Sequence, residues 1–311
     1  MRSRLWNRFS FQLLFIAFVS SPCNSIFAQP AKKVQNIFPA TTVTFNNVKY
    51  ANDTLKGHLL DIYLPQKAKA NTPLLVWIHG GAWNHNDKYS DMGYMKNTIR
   101  TFIESGYALA SIDYRFSTTA VFPAQIGDCN QALEYLYQHA AEYKLDKNKI
   151  ILIGFSAGGH LASLAGLSNN DAVKEFYPAD KRPSFKISGV IDFYGPSDLL
   201  ALLGNGDSGI GNQDHPIFQL LGASPVQRPD LARIASPITY VDMNDPPFLI
   251  IQGEKDQSVP AVQSKLLSSW LNIHGVKNEL IIVPNAPHFG EMFDAEDIRV
   301  KVMDFIMTNF R

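Results

Sequence analysis

The chain has almost nothing from which to build a disulfide framework. Two cysteines, Cys23 and Cys129, stand among 311 residues, and Cys23 falls in a stretch that reads as a cleaved leader. A lone Cys129 cannot form an intramolecular bridge, so the fold must rest on its core rather than on staples. Inside a predicted helix it reads as a small buried hydrophobe. An excess of one charge is also missing. Basic and acidic residues balance at 28 each, with no long run of either sign, which excludes the electrostatic footprint of a nucleic-acid binder. Long apolar runs are missing too. The N-terminal segment Phe9 to Val19 falls short of the about 20 apolar residues that a membrane span takes, so no stable span is expected. There is no internal repeat and no sign of a second domain with its own core.

What is present begins with that leader. Arg2, Arg4 and Arg8 precede the apolar segment, which runs into Ser20, Ser21 and Pro22 and ends near Ile26-Phe27-Ala28. A basic start, a short apolar stretch and a small residue at the cut describe a secretory signal peptide over residues 1–28. This predicts a secreted or periplasmic protein. Ile26 departs from the small side chain expected three residues before the cut. A lipid anchor on Cys23 is the lesser alternative, because Pro22 fits it poorly. Residues 29–41 read as a linker, and 42–311 as one catalytic domain. A hydrophobic content of 46% supplies an ordinary globular core for it.

Within 42–311 strand-like and helix-like patterns alternate. Val43–Tyr50 and His58–Leu64 suit two antiparallel strands around a turn at Ala51-Asn52-Asp53. Leu74–Ile78 is a short continuous apolar run, the mark of a strand buried on both faces. Further strands are predicted at Tyr107–Ile112, Ile150–Ile153, Ile187–Phe193, Pro247–Gln252 and Glu279–Val283. Helices are predicted at Lys96–Glu104, from Pro123, at Ala261–Asn272 and at Glu296–Asn309. Strands separated by helices predict a mostly parallel central sheet with helices on both faces, an α/β fold. One stretch, 196–245, is rich in Gly, Asn, Asp and Pro and breaks the alternation. It reads either as an irregular insert covering a site or as a plain surface excursion.

The chemistry centres on Gly154-Phe155-Ser156-Ala157-Gly158, at the end of a predicted strand and the start of a helix. That is the context a nucleophile elbow requires: a sharp turn lifts the serine hydroxyl above the sheet. A serine needs a base, and the base an acid to orient it, in the chain order Ser, acid, His. After residue 156 the histidines are His160, His215, His274 and His288. His160 would point along the elbow helix, His215 lies in the insert, and His274 sits at a helix end beside Gly275. His288 follows a strand, at the carboxyl edge where open α/β sheets bind ligands. The acid should come from the loop after the preceding strand, where Glu254 and Asp256 both qualify. Asp256, nearer the next helix, is preferred. An ester carbonyl under attack needs N–H donors for its oxygen. Ala157 supplies one, and the sequence His79-Gly80-Gly81-Ala82-Trp83 supplies Gly81 and Ala82. His79, Trp83 and Asn84 are expected to brace that loop or line the pocket. Trp83, Phe193, Tyr194 and Phe289 read equally as an acyl pocket or as core.

With these motifs the chain resembles the α/β-hydrolase superfamily from about residue 42 onward. His79-Gly80-Gly81-Ala82-Trp83, Asp113-Tyr114-Arg115, Gly154–His160 and Gly253-Glu254-Lys255-Asp256 look like the esterase/lipase branch, near the hormone-sensitive-lipase-like enzymes. They look most similar to secreted feruloyl and acetyl-xylan esterase-type proteins, and the arylformamidase group shares the loop form. The resemblance implies a serine hydrolase for small esters that uses no metal or other cofactor. It also implies a structural role for Asp113-Tyr114-Arg115. The expected substrate is a small ester or an acylated plant polysaccharide. A lipase- or arylformamidase-like hydrolase, a peptidase, and a non-catalytic binding protein on the same scaffold are the alternatives.

Overall fold

Eight short strands that read separately in the sequence join edge to edge in the order β1-β2-β4-β3-β5-β6-β7-β8. They are β1 (Val43–Lys49), β2 (Leu59–Leu64), β3 (Thr72–Ile78), β4 (Ala108–Ile112), β5 (Leu145–Phe155), β6 (Gly189–Phe193), β7 (Phe248–Gly253) and β8 (Asn278–Val283). A computed structural model describes residues 34, 36–171, 173–177, 183–203 and 212–310. The leader predicted at 1–28, with Cys23, lies outside the described residues. Pairings β1–β2 and β2–β4 are antiparallel, and every pairing from β4–β3 onward is parallel.

Alternation along the strands explains the two layers of core. In β3, Leu74, Val76 and Ile78 point to one face, while Leu75 and Trp77 point to the other. The first face is covered by α2 (Ala124–Gln138), α3 (Ala157–Ser168) and α7 (Val262–Ile273), through residues such as Ile126, Leu133, Leu161 and Leu267. The second is covered by α1 (Lys96–Glu104) and α8 (Glu296–Asn309), through Ile99, Phe102, Ile298, Val302 and Ile306. Cys129 is buried on the first face as a free thiol.

Three expectations are corrected. The stretch 196–245 is not irregular where it is described. It forms α4 (Leu199–Leu203), α5 (Pro216–Leu221), α6 (Pro229–Ile234) and a 3-10 turn at Pro237–Tyr240. Each is one or two turns long, too short for a helical period to emerge in the sequence, and Pro216 and Pro229 start two of them as first-turn prolines. Leu199, Leu203, Ile217, Leu220, Leu221, Ala232 and Ala235 are buried in the first core, so the insert is packed onto the domain. The simple turn expected at 51–53 is a longer connection containing a 3-10 turn at Lys56–His58, and β1 carries a register shift between Phe45 and Val48. Finally, the described part of the stretch expected as a linker includes core residues: Val34, Ile37 and Phe38 are buried on the second face, and Phe38 stacks on Tyr63 at 3.9 Å.

Candidate active site

The six mutually parallel strands, β3 to β8, end at one rim, and the loops leaving that rim bring the predicted residues together. β5 stops at Phe155, α3 starts at Ala157, and Ser156 alone makes the turn with φ 53 and ψ −117. A side chain in that conformation is strained by about 1–3 kcal/mol and holds only where neighbours fix it. Here the Ser156 N–H donates to Phe193 O at 2.9 Å and its carbonyl accepts from His160 N–H at 2.9 Å. The flanking glycines are required by space. A Cβ on Gly154 would collide with the Gly158 carbonyl, and one on Gly158 with the Ile78 carbonyl of β3.

Asp256 comes from the loop after β7 and His288 from the loop after β8. His288 Nδ1 lies 2.6 Å from Asp256 Oδ2, and His288 Nε2 lies 2.8 Å from Ser156 Oγ. With Nδ1–H donating to the carboxylate, Nε2 is left to accept the serine hydroxyl. The Asp256 side chain is fully buried, whereas that of His288 is 15% exposed. Burial of a carboxylate demands donors. Oδ1 accepts the N–H groups of Ser258 and Val259, both at 2.9 Å, and Oδ2 also accepts Gln252 Nε2–H at 2.9 Å. Gln252 in turn accepts Ser264 Oγ–H at 2.7 Å, which ties the carboxylate to α7. Glu254, the other carboxylate considered, is turned away: its Oε2 accepts the Asn285 N–H at 2.9 Å.

The loop after β3 runs through three consecutive left-handed residues, Gly81 (φ 120), Ala82 (φ 48) and Trp83 (φ 59). The Gly81 carbonyl accepts Asn84 and His85 N–H groups at 2.9 and 3.1 Å, and the Gly80 carbonyl accepts Asn86 Nδ2–H at 3.2 Å. In a trans peptide the C=O and the following N–H point in opposite directions. Carbonyls drawn into the loop therefore aim the N–H groups of Gly81 and Ala82 the other way. Both residues line one cavity with Ala157, Ser156 and His288.

The bracing expected of the loop is present. His79 is buried and stacks on Tyr114 at 4.4 Å, and Tyr114 Oη–H donates to His79 O at 3.0 Å. Asn84 Nδ2–H donates to Gln219 Oε1 of the insert at 2.7 Å. Trp83 Nε1–H donates to His160 Nδ1 at 3.1 Å, and His160 Nε2–H donates to Ala235 O at 2.7 Å. Burial pushes the His160 pKa down to about 4, so the ring stays neutral and serves as a bridge. Asp113-Tyr114-Arg115 takes a structural place. Arg115 forms a bidentate pair with Asp128 at 2.7 and 2.8 Å, and Asp113 lies 3.2 Å from Lys88 Nζ.

The cavity holds about 940 Å³. Of the four aromatic candidates, Trp83, Tyr194 and Phe289 line it. Phe193 does not. As the last residue of β6 its side chain turns into the second core, where it is 1% exposed and stacks on Phe155 at 4.7 Å. Sequence reading missed Asp91, Tyr94, His215 and Ile217, which also line the cavity. None belongs to a motif; the fold alone carries them to the rim. Among the described residues no cluster of three or more His, Cys, Asp or Glu is arranged for a metal ion, and no helix is long and apolar enough to cross a membrane.

A mainly parallel eight-stranded sheet, with a strained serine turn between a central strand and its helix, defines an α/β hydrolase. Within that class the chain belongs to the BD-FAE family, whose profile matches residues 60–271. It is similar to a solved structure described as a truncated form of carbohydrate esterase from gut microbiota. That match has 31% identity and a TM-score of 0.77, and covers 86% of this chain and 96% of the other. A bifunctional GH43-CE protein of Bacteroides eggerthii matches with 34% identity and a TM-score of 0.78 over 86% of this chain and 35% of the other. Esterase LipQ of Mycobacterium tuberculosis is 30% identical over 258 residues, which cover 82% of this chain. The chain spans 59% of LipQ and a similar share of the other curated relatives it matches.

Proposed function

We propose that the protein is a serine-dependent carboxylic ester hydrolase that works through an acyl-enzyme. The observation that carries this reading is the unbroken relay Ser156 Oγ–His288 Nε2 at 2.8 Å and His288 Nδ1–Asp256 Oδ2 at 2.6 Å. Ser156 Oγ attacks the ester carbonyl while His288 Nε2 takes its proton. Asp256, kept acceptor-only by its buried donors, holds the ring in the right tautomer and stabilises the imidazolium. The carbonyl oxygen becomes an oxyanion facing the N–H groups of Gly81, Ala82 and Ala157. His288 then returns the proton to the departing alcohol oxygen, leaving Ser156 acylated. Water repeats the sequence: His288 takes its proton, the hydroxyl adds to the acyl carbon, and Ser156 leaves with the proton as the acid is released.

The proposed substrates are acetyl or feruloyl esters of plant polysaccharides. A cavity of about 940 Å³ has room for an acyl group and a sugar ring together. Phe289 stands 63% exposed beside His288 at its mouth, as an apolar face for a ring. The similarity to proteins described as carbohydrate esterases points the same way. The leader expected at residues 1–28 supports a proposed secreted or periplasmic setting, in keeping with polymer-side substrates. The test is Ser156→Ala, expected to fold as the wild type does, with p-nitrophenyl acetate turnover lowered at least about 10⁴-fold. Near wild-type turnover would rule the nucleophile out. Acetylated xylan, methyl ferulate and p-nitrophenyl esters of rising chain length, compared on kcat/KM, then separate the saccharide reading from a lipase-like one.

A further inference from the structure

The proposed chemistry leaves one carboxylate of the cavity idle. Asp91 lies between the loop after β3 and helix α1, partly buried, and both of its oxygens are engaged. Oδ2 accepts the Gly80 N–H at 2.8 Å, and Oδ1 accepts the Tyr94 hydroxyl at 2.7 Å. Tyr94 Oη is in turn 2.8 Å from Tyr194 Oη, and the Tyr194 ring lies 4.9 Å from the His288 ring. Two side chains, Asp91 and Tyr94, therefore connect the backbone that precedes Gly81 to the Tyr194 ring that walls the imidazole.

Gly80 is the pivot of this arrangement. A Cβ on it would stand 2.9 Å from the Phe155 carbonyl oxygen and 3.4 Å from Ser156 Cβ, so its backbone lies directly on the serine turn. Rotating the Gly80 peptide would swing the next two N–H groups relative to Ser156. Tyr194 (φ 48) occupies left-handed backbone, which a ring-bearing residue rarely adopts, and Asp91 (φ 68) occupies the same region, which aspartate tolerates more readily. The strain at Tyr194 persists only where the surroundings over-determine it, and its hydroxyl is held by the chain that Asp91 begins.

We infer that Asp91 is a positioning residue for oxyanion stabilisation: its carboxylate fixes the Gly80 peptide so that the Gly81 and Ala82 N–H groups meet the developing charge. The inference rests on the ester-hydrolase reading, since without an oxyanion those donors have nothing to stabilise. The Asp91 hydrogen bonds go to Gly80 and Tyr94 and include none of those that join Ser156, His288 and Asp256, so the side chain is outside that relay.

The test is steady-state hydrolysis of p-nitrophenyl acetate by wild type, Asp91→Gly, Asp91→Asn and Ser156→Ala. Glycine and asparagine both accept φ 68, so neither change strains the backbone. Asp91→Gly is expected to lower kcat about 10- to 100-fold, below the cost of deleting a donor outright, with KM within about threefold. Asparagine can accept the Gly80 N–H and donate to Tyr94 Oη, so Asp91→Asn should recover to within about fivefold of wild type. A folded Asp91→Gly with wild-type kcat, or with its loss confined to KM, overturns the inference. An Asp91→Asn no better than Asp91→Gly does so as well, because the charge and not the hydrogen bonds would then matter. Should Asp91→Gly not fold, Asp91→Asn decides by the same fivefold limit. Turnover by Ser156→Ala would sink the hydrolase reading and this inference with it, so the two failures register in different variants.

Discussion

His288 and His160 each bridge two hydrogen-bond partners, yet the two regions treat the ring in opposite ways. At the rim, the ring of His288 keeps a sliver of exposure and lies between a buried carboxylate and a hydroxyl. Under the insert, the ring of His160 is fully buried between an indole N–H and a backbone carbonyl. A carboxylate neighbour compensates an imidazolium, whereas a neutral pair does not. The first ring is equipped to gain and lose a proton, and the second is confined to its neutral form. Charge of the partner, more than the histidine itself, separates proton transfer from scaffolding.

The comparison can be broken first at His288. His288→Ala should lower kcat on p-nitrophenyl acetate by about 10⁴-fold or more, and adding Ser156→Ala should cost little further, because the two act as a unit. Strict additivity of the two losses in single and double variants would contradict a shared proton relay. At His160 the effect should fall on stability. His160→Ala orphans the Trp83 N–H and the Ala235 carbonyl and leaves a cavity, a loss of about 2–5 kcal/mol in chemical denaturation. His160→Gln, able to accept from Trp83 and donate to Ala235, should recover part of it. An alanine variant of unchanged stability would remove the bridge from the account.

A third expectation concerns Asp192, buried beneath the elbow, where it accepts Ser163 Oγ–H at 2.7 Å and Gly195 N–H at 2.8 Å. Burial raises its pKa to about 6, above the ordinary carboxylate value of 3.8. The folded state therefore favours the neutral acid. Its contribution is fully present below the unfolded pKa and is lost as pH rises through the folded one, a swing of up to about 3 kcal/mol. Asp192→Asn removes the charge while its amide oxygen accepts the Gly195 N–H and its amide NH2 donates to Ser163 Oγ, reversing that bond. Its melting temperature relative to wild type should climb between pH 4 and pH 7; a constant difference would mean that Asp192 is ionised throughout.

Much of this site was legible because its parts are local. The serine turn, the two flanking glycines and the His79–Trp83 loop each lie within a few consecutive residues, where backbone geometry restricts side-chain choice. The order of serine, acid and base follows from the strand order, so Asp256 and His288 could be placed from the ends of β7 and β8. Choosing Asp256 over Glu254 turned on loop direction, which appears only as hydrogen bonds to Ser258 and Val259 against Asn285. Phe193 and Tyr194 are adjacent and chemically alike, and only the end of β6 sends one into the core and the other to the cavity. Asp91, Tyr94 and Gln252 carried no signal, since their partners are set by tertiary approach. The helices of the insert were hidden by their brevity.

The link from Trp83 through His160 to Ala235 means that the segment roofing the cavity is not a free-standing module. A graft that exchanges 196–245 for a foreign segment to alter substrate preference inherits an obligation: a main-chain oxygen must arrive where Ala235 O now stands. Without it, the imidazole N–H faces apolar side chains with no acceptor, and the indole that follows Ala82 loses its anchor.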